Sequence, residues 1–463
     1  MLTVAYLANQ FPSEVEPYVG DEIEELRSRG VRVITGSVRQ ASAAAETPAM
    51  GHAPELLVLP VRPLVLLKAA WLAVRRWKRI SGLMFRVVCQ GREGPWARIK
   101  ALLHTYLGAC YAVLLAGQKV DHIHAHHGYF GSWIAMTAAR LLNAGFSLTL
   151  HGSDLLVHGA YLDTKLESCH FCLTISDYNR RYILERYPKV DPNKILVSRL
   201  GVELPRTMAP PTSSYCKQEL SLLAVGRLHA VKDHAFLIRA CAQLRARDLP
   251  FECSIAGDGP ERGKLERLIR RFGLESRVTL LGHVPRECMD SLYDRADVVV
   301  LTSRSEGIPL VLMEAMARGK IVLAPGITGI PELVIDGQTG FLYQSESMGD
   351  FLAQLLFIRS LLQTSLTCDA SYRAAAANQL NWVRHAAQVQ VSHNYNHKKN
   401  LQAFAELFME RIVPRTIPQI ESIHEDSVLQ QIQLPVQRHR DLPVRTDGAD
   451  AVAGARSCTV LDV

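Results

Sequence analysis

Glu306 and Glu314 stand eight positions apart in the segment Glu306-Gly307-Ile308-Pro309-Leu310-Val311-Leu312-Met313-Glu314. The apolar, β-branched run Val298 to Leu301 predicts a strand that ends near Ser305 or Glu306. Gly307 lets the backbone approach a ligand closely, and Pro309 suits a first helical position. The helix should run to about Ala317, with Gly319 beyond it as a stop signal. Glu306 then precedes the helix N-terminus and Glu314 lies about two turns inside it. The unpaired N–H groups between them, at the positive end of the helix dipole, suit a phosphate, and the carboxylates suit hydroxyls on either side. That is chemistry fit for a sugar nucleotide. Singly, a glutamate at a helix start can merely balance the dipole, and Glu314 can be a solvated residue on a helix face. Loop glycine, proline and second carboxylate in one register carry the stronger reading.

The elements that would hold this segment follow a repeated βαβ grammar. In the first half, strands near Thr3–Ala8, Val31–Gly36, Ile123–Ala125, Ser147–Leu150, Cys172–Ile175 and Ile195–Ser198 alternate with helical stretches such as Glu16–Arg29 and Tyr129–Leu142. In the second, strands near Ser221–Val225, Phe251–Ala256, Val278–Leu280, Val298–Leu301 and Ile321–Ala324 alternate with helices at Ala235–Ala246, Glu261–Phe272 and Pro309–Ala317. The pattern predicts an α/β chain of two Rossmann-like, doubly wound domains facing across a cleft, with ligands at strand C-termini. The domains are expected at 1–204 and 215–396, joined by a Pro-rich linker at 205–214. A helix near 397–412 is expected to pack back on the first domain, and a tail at 414–463 reads as disordered.

Bulk properties agree with two domains: 463 residues, 48% hydrophobic and 21% charged. Met1 to Ala8 lacks the basic flank of a cleavable leader and reads as a buried strand. Ten scattered cysteines fit reduced thiols, and the lone Cys169-His170-Phe171-Cys172 has no second pair at zinc spacing. Ten Lys/Arg against one acid, Glu93, fall between Arg62 and Lys100, so the basic excess of this +7 chain lives there. Leu64 to Ile80 reads as one helix with Lys68, Arg75 and Arg79 on one stripe and Leu66, Ala70, Ala73 and Trp77 roughly opposite. Tryptophans and arginines on an amphipathic helix suit an anionic membrane surface through residues 62–100, with an ordinary docked helix as the plainer alternative. Basic-plus-aromatic patterning confined to one element does not suggest nucleic acid.

No dinucleotide-binding GxGxxG follows either first strand; Gly257-Asp258-Gly259-Pro260 has other spacing and follows a later strand. No DxD triplet is present. The sequence therefore predicts no cofactor and no metal, and leaves phosphate charge to cationic side chains and backbone N–H groups. His122, His124, His126 and His127 crowd one strand end with only Asp121 beside them, which favours structural or acceptor-side roles over a metal centre.

Several blocks in order resemble the GT4 family of retaining GT-B glycosyltransferases. They are Ala224-Val225-Gly226-Arg227-Leu228 with Lys232 and Asp233, Ala256-Gly257-Asp258-Gly259-Pro260, Ser303 to Ala317, and Gly329-Ile330-Pro331-Glu332-Leu333-Val334. Phe11-Pro12-Ser13 with Glu22-Ile23, Ile123-His124-Ala125-His126 and His151-Gly152-Ser153-Asp154 look like its exopolysaccharide and colanic-acid-type branch. The likeness spans roughly residues 1 to 410. It implies that Arg227 and Lys232 bind the diphosphate, that Glu314 meets the ribose, and that Glu306 meets donor-sugar hydroxyls with Gly307, Ile308, Pro309, Leu310 and Val311 lining the site. It also implies that His151 contacts the donor sugar near the reacting carbon. His124, His126 and Asp154 are acceptor-side candidates, Asp154 alternatively orienting His151 or capping a helix. In place of the glycine-rich loop that many relatives carry after the first strand stands Asn9-Gln10-Phe11-Pro12-Ser13-Glu14.

The implied activity is transfer of a sugar from a nucleotide-sugar donor, with retention, to a lipid-linked oligosaccharide at the cytoplasmic face of the membrane. No covalent nucleophile is evident, which favours front-face displacement. Rival readings are a sugar-nucleotide epimerase on the same scaffold and a non-catalytic sugar-nucleotide-binding assembly subunit.

Overall fold

The computed structural model describes residues 1–13, 16–40, 53–91, 93–156, 159–205, 219–364 and 370–412. The expected linker, beyond residue 205, and the expected tail at 414–463 lie outside the described residues.

The first half builds a seven-stranded, all-parallel sheet from β1 (Thr3–Gln10), β2 (Arg32–Arg39), β3 (Leu56–Leu57), β4 (His122–His126), β5 (Gly145–Leu150), β6 (Phe171–Thr174) and β7 (Ile195–Val197), in the order β3-β2-β1-β4-β5-β6-β7. Its central strands are buried because helices cover both faces, and β4 (His-Ile-His-Ala-His) is buried despite three histidines. Trp133, Ile134 and Leu141 of the helix Phe130–Leu142 fill one side, and Ile23 and Leu26 of the helix Tyr18–Ser28 the other. The second half builds a six-stranded parallel sheet from β8 (Leu220–Val225), β9 (Phe251–Ala256), β10 (Val278–Gly282), β11 (Val298–Val300), β12 (Ile321–Pro325) and β13 (Phe341–Tyr343), in the order β10-β9-β8-β11-β12-β13. In both sheets the order reverses beside the first strand of the half, the switch point at which such sheets open a crevice.

The chain returns to the first half at its C-terminal end. After the helix Ala370–Asn394, Asn396 bridges Val202, and the helix His397–Ile412 buries Phe404 and Phe408 beside Tyr6 and Phe171. Gly201 is required at this crossing, since a Cβ there would lie 2.6 Å from the backbone of Tyr395 and His397.

Three sequence expectations are corrected. Two short edge strands, β3 and β13, escaped the pattern because two and three residues carry no readable period. The strand before Glu306 stops at Val300, so residues 301–309 form a long turn, and Pro309 is the N-cap (φ −77°, ψ 120°) rather than a first helical residue. The single helix expected over Leu64 to Ile80 is two, Pro63–Arg75 and Trp77–Val88, broken at Arg76 (φ −110°, ψ 27°). Arg76 donates to Leu141 O and Arg79 to Arg140 O, which fastens the break to the end of the neighbouring helix.

That break changes the surface. Leu66 and Ala73 pack on the core, while Leu64, Leu67, Trp71 and Val74 form an outward stripe at helical spacing. Trp77, Phe85 and Val88 on the next helix are open as well, as are Trp96, Ile99 and Leu103 on the helix Pro95–Leu114. Each of these ten side chains keeps more than half its surface open. Among the described residues no helix is long and apolar enough to cross a membrane.

Candidate active site

Parallel strands deliver their C-terminal turns to one edge of each sheet. On the second sheet the turn after β8 carries Arg227 and Lys232, and the turn after β11 carries Glu306. They are tied together: Thr302 Oγ1 donates to Lys232 O (3.0 Å) and Asp233 O (3.2 Å), and the Arg304 amide donates to Val231 O (2.8 Å). The Arg304 guanidinium reaches Asp233 at 2.8 Å, while Asp233 also caps the helix His234–Ala246. Gly257 must lack a side chain because a Cβ would fall 2.0 Å from Gly226 O, so the turns after β8 and β9 touch. Arg227 is left exposed beside this junction.

Lys232 Nζ lies 2.5 Å from Glu306 Oε1. The helix Leu310–Ala317 behind them has no side-chain cap, and Leu312 and Met313 already bond back to Pro309 O. Its first N–H groups, those of Leu310 and Val311, have no partner within the helix and can serve as anion donors. Glu314 is not a free grip at the second end of the site: Tyr293 donates a 2.7 Å hydrogen bond to its Oε2. Burial and that carboxylate push the Tyr293 phenol well above its usual pKa, so it remains a donor.

On the first sheet, His151 follows β5 and is buried. Asp154 fixes its backbone, accepting from the amides of Gly128 (2.8 Å), His151 (3.1 Å) and Gly152 (2.7 Å). Burial would raise the Asp154 carboxyl, but His127 beside it and these amides hold it far below the usual range. Burial would likewise neutralise His127, yet Asp154 and Glu16 raise its pKa to about 10. His151, by contrast, is driven well below its usual pKa by burial and by the charge of His127 beside it. It is a neutral imidazole beside an imidazolium.

Asp154 thus orients His151 and has no exposure with which to meet an acceptor. His124 is also no acceptor contact: it is fully buried, its ring nitrogens 2.7 Å from Ser147 Oγ and 3.0 Å from Thr149 Oγ1. His126 is shut in between Glu22 and His151. Cys169 and Cys172 are buried free thiols, and burial pushes Cys169 to about 12, which makes it a poor metal ligand. Sequence reasoning passed over Glu16 and Tyr18, and named Glu22 only within a branch motif; all three reach this cluster from the loop and helix after β1, and Lys165 was passed over too. The buried ammonium of Lys165 donates to Gly128 O (2.6 Å), Tyr129 O (3.1 Å) and Ala160 O (3.0 Å), and burial lowers its pKa to about 7.

The two halves meet through backbone. A Cβ on Gly307 would lie 2.4 Å from His151 O, and one on Gly152 would lie 3.0 Å from Gly307 N. Nearby, Glu332 of the second half accepts from the amides of Asp177 (3.0 Å) and Tyr178, capping the helix Asp177–Arg186 of the first. His151 and the residue next to Glu306, Gly307, therefore meet where the two halves touch.

Residues 214–366 match the family model described as Glycosyl transferases group 1. A putative colanic acid biosynthesis glycosyltransferase, WcaL of Salmonella typhimurium, is 36% identical over 170 residues, covering 35% of this chain and 42% of the relative. The amylovoran biosynthesis glycosyltransferase AmsK of Erwinia amylovora is 32% identical over 203 residues, 40% of this chain and 50% of the relative. The aligned chain spans half or less of the length of these two curated relatives. Among solved structures, a glycosyltransferase from Rickettsia africae superposes with a TM-score of 0.61 at 18% identity, over 89% of this chain and 99% of that one. HepE of Anabaena, solved with UDP and glucose, superposes with a TM-score of 0.60 at 18% identity, over 89% and 100%. The shared architecture is the GT-B fold.

Proposed function

Proceeding from residues 214–366 as a Glycosyl transferases group 1 domain, we propose that this chain moves a sugar from a nucleotide-sugar to a growing, lipid-linked glycan, with retention of configuration, in exopolysaccharide or cell-surface glycan biosynthesis. The observation that carries this is the uncapped start of the helix Leu310–Ala317, preceded by Glu306 bonded to Lys232 at the strand ends of one sheet and by Gly307 packed on the His151 backbone of the other. The likeness to colanic acid and amylovoran glycosyltransferases supports the pathway, and the UDP and glucose of the HepE structure support the donor class.

In this reading the diphosphate lies on the amides of Leu310 and Val311, between Arg227 and Lys232. The bond from the anomeric carbon to the β-phosphate oxygen breaks as the acceptor oxygen bonds to the same face. The electron pair leaves with the phosphate, whose oxygen takes the acceptor's proton. Arg227, Lys232 and the helix N-terminus stabilise the departing charge. The site needs no metal for this. Glu306 holds sugar hydroxyls, and Glu314, steadied by Tyr293, presents its other oxygen to the ribose.

The outward apolar stripes of residues 64–103, mixed with Lys68, Arg75, Lys78 and Arg79, fit the surface of an anionic bilayer in the plane of which a lipid-linked acceptor would lie. The cytoplasmic face is the matching location.

The experiment is a screen of UDP- and GDP-sugars with the full chain and a membrane lipid extract, reading nucleoside diphosphate release and the anomeric configuration of the product by NMR. Acceptor-dependent release with an α-linked product from an α-linked donor is expected. Donor isomerisation without acceptor, or binding without turnover, would replace this reading by an epimerase or a non-catalytic subunit.

A further inference from the structure

Behind His151 runs a line of buried polar groups for which sugar transfer as described has no use. His126 Nε2 lies 3.0 Å from Glu22 Oε2, and the Tyr6 hydroxyl donates to the same oxygen at 3.3 Å. The other ring nitrogen, His126 Nδ1, lies 3.3 Å from His151 Nε2, with the two rings stacked at 5.5 Å. No partner for His151 Nδ1 is found among the described residues.

Hydrogen bonding couples the protons along this line, so that the state of His126 sets the tautomer of His151. A carboxylate only accepts, so His126 Nε2 must carry hydrogen toward Glu22. In its neutral form His126 then offers a lone pair at Nδ1, and His151 Nε2 must donate to it. A neutral imidazole has one ring proton, so His151 Nδ1 is left bare. The neighbourhood keeps His151 neutral: the His127 ring, charged through Glu16 and Asp154, is centred 4.6 Å from it, and a second buried imidazolium there is disfavoured.

We propose that Glu22 and His126 are positioning residues that lock His151 in the Nε2–H tautomer, so that Nδ1 meets the donor sugar as a hydrogen-bond acceptor for one of its hydroxyls. The identity of the hydroxyl's owner rests on the glycosyltransferase reading; the placement of the protons does not. The competing use of these groups is a metal ion, since Glu22, His124 and His126 offer ligand atoms within 4.8 Å of one another. Ser147 and Thr149 already occupy both nitrogens of His124, which argues against it.

The test is ring nitrogen NMR of the full chain labelled with 15N-histidine, without ligand, at about pH 8, where an ordinary imidazole is neutral. His151 is assigned by the signals lost in His151→Asn. The expected result is a protonated Nε2 and an Nδ1 at the unprotonated end of the imidazole range. Glu22→Gln, which can donate as well as accept, should shift both resonances toward the averaged position. A protonated Nδ1 in the wild type, ring shifts unchanged in Glu22→Gln, or one equivalent of bound metal by elemental analysis would each overturn the proposal. The wild-type spectrum decides even if Glu22→Gln fails to fold, and none of these readouts depends on finding the donor.

Discussion

Lys232 and Glu306 are bonded to each other, Nζ to Oε1 at 2.5 Å, although one is assigned to the diphosphate and the other to the sugar. The free site is thus self-neutralised, and an arriving diphosphate competes with Glu306 for the ammonium. The pair is partly exposed, so breaking it costs about 1 kcal/mol. Glu306→Gln should therefore bind the bare nucleoside diphosphate about fivefold more tightly while turning over more slowly, because the released lysine gains where the sugar contact loses. Titration calorimetry with UDP and GDP, beside turnover, checks this; weaker diphosphate binding in Glu306→Gln would contradict it.

Gly307 lies where the two halves touch. Alanine at this position would place its Cβ 2.4 Å from His151 O and 2.6 Å from Ile175 Cδ1, so the halves must part. Gly307→Ala is expected to lower kcat/KM by at least about tenfold, about 1.4 kcal/mol of lost positioning. Its thermal midpoint should stay within a few degrees of the wild type, since the apolar cores of the two sheets do not cross this contact. Wild-type kcat/KM would show that the close approach is unimportant.

Much of this was legible beforehand, and the lapses have particular causes. Ordered blocks with strong period and turn chemistry (Val298 to Ala317, Ser221 to Asp233) placed strands and turns of the second half to within a few residues. Pairings between distant residues were invisible: nothing in one sequence says that Glu22 meets His126 or that Tyr293 takes an oxygen of Glu314. His124 looked available because crowded histidines at a strand end resemble ligands, while the Ser147 and Thr149 that occupy it lie on the adjacent strand. The break at Arg76 was hidden because the hydrophobic period of residues 64–80 stays helical through it; only the bond to Leu141 O reveals why the chain turns there.

The His127 ion cluster predicts a pH signature. The folded-state pKa of His127 is raised to about 10 from an ordinary value near 6.5, so its contribution to stability is full below about pH 6.5 and is lost as pH rises to 10. Asp154 and Glu16 are held low and work in the opposite sense, losing their contribution as pH falls through the acid range. The gap in thermal midpoint between wild type and His127→Gln should be widest near pH 6 and close toward pH 10. A gap independent of pH would show that His127 carries no charge in this pocket.

Liposome flotation separates the two parts of the membrane surface. Neutralising Lys68, Arg75 and Arg79 should weaken binding to anionic vesicles by about a hundredfold, at about 1 kcal/mol for each charge. Replacing Trp71, Trp77 and Trp96 by serine should weaken binding to anionic and neutral vesicles alike. Unchanged flotation in both variants would remove residues 62–103 as the contact.

The central claim is that Lys232 and Glu306 grip a nucleotide-sugar for transfer. The most direct measurement is the rate of nucleoside diphosphate release, with the donor chosen by the screen, in Lys232→Ala and Glu306→Ala beside the wild type. Loss of about 100- to 1,000-fold in Lys232→Ala, the size expected for removing a cation from developing phosphate charge, is predicted, with a clear loss in Glu306→Ala. Product formation at the wild-type rate in either variant would contradict the account.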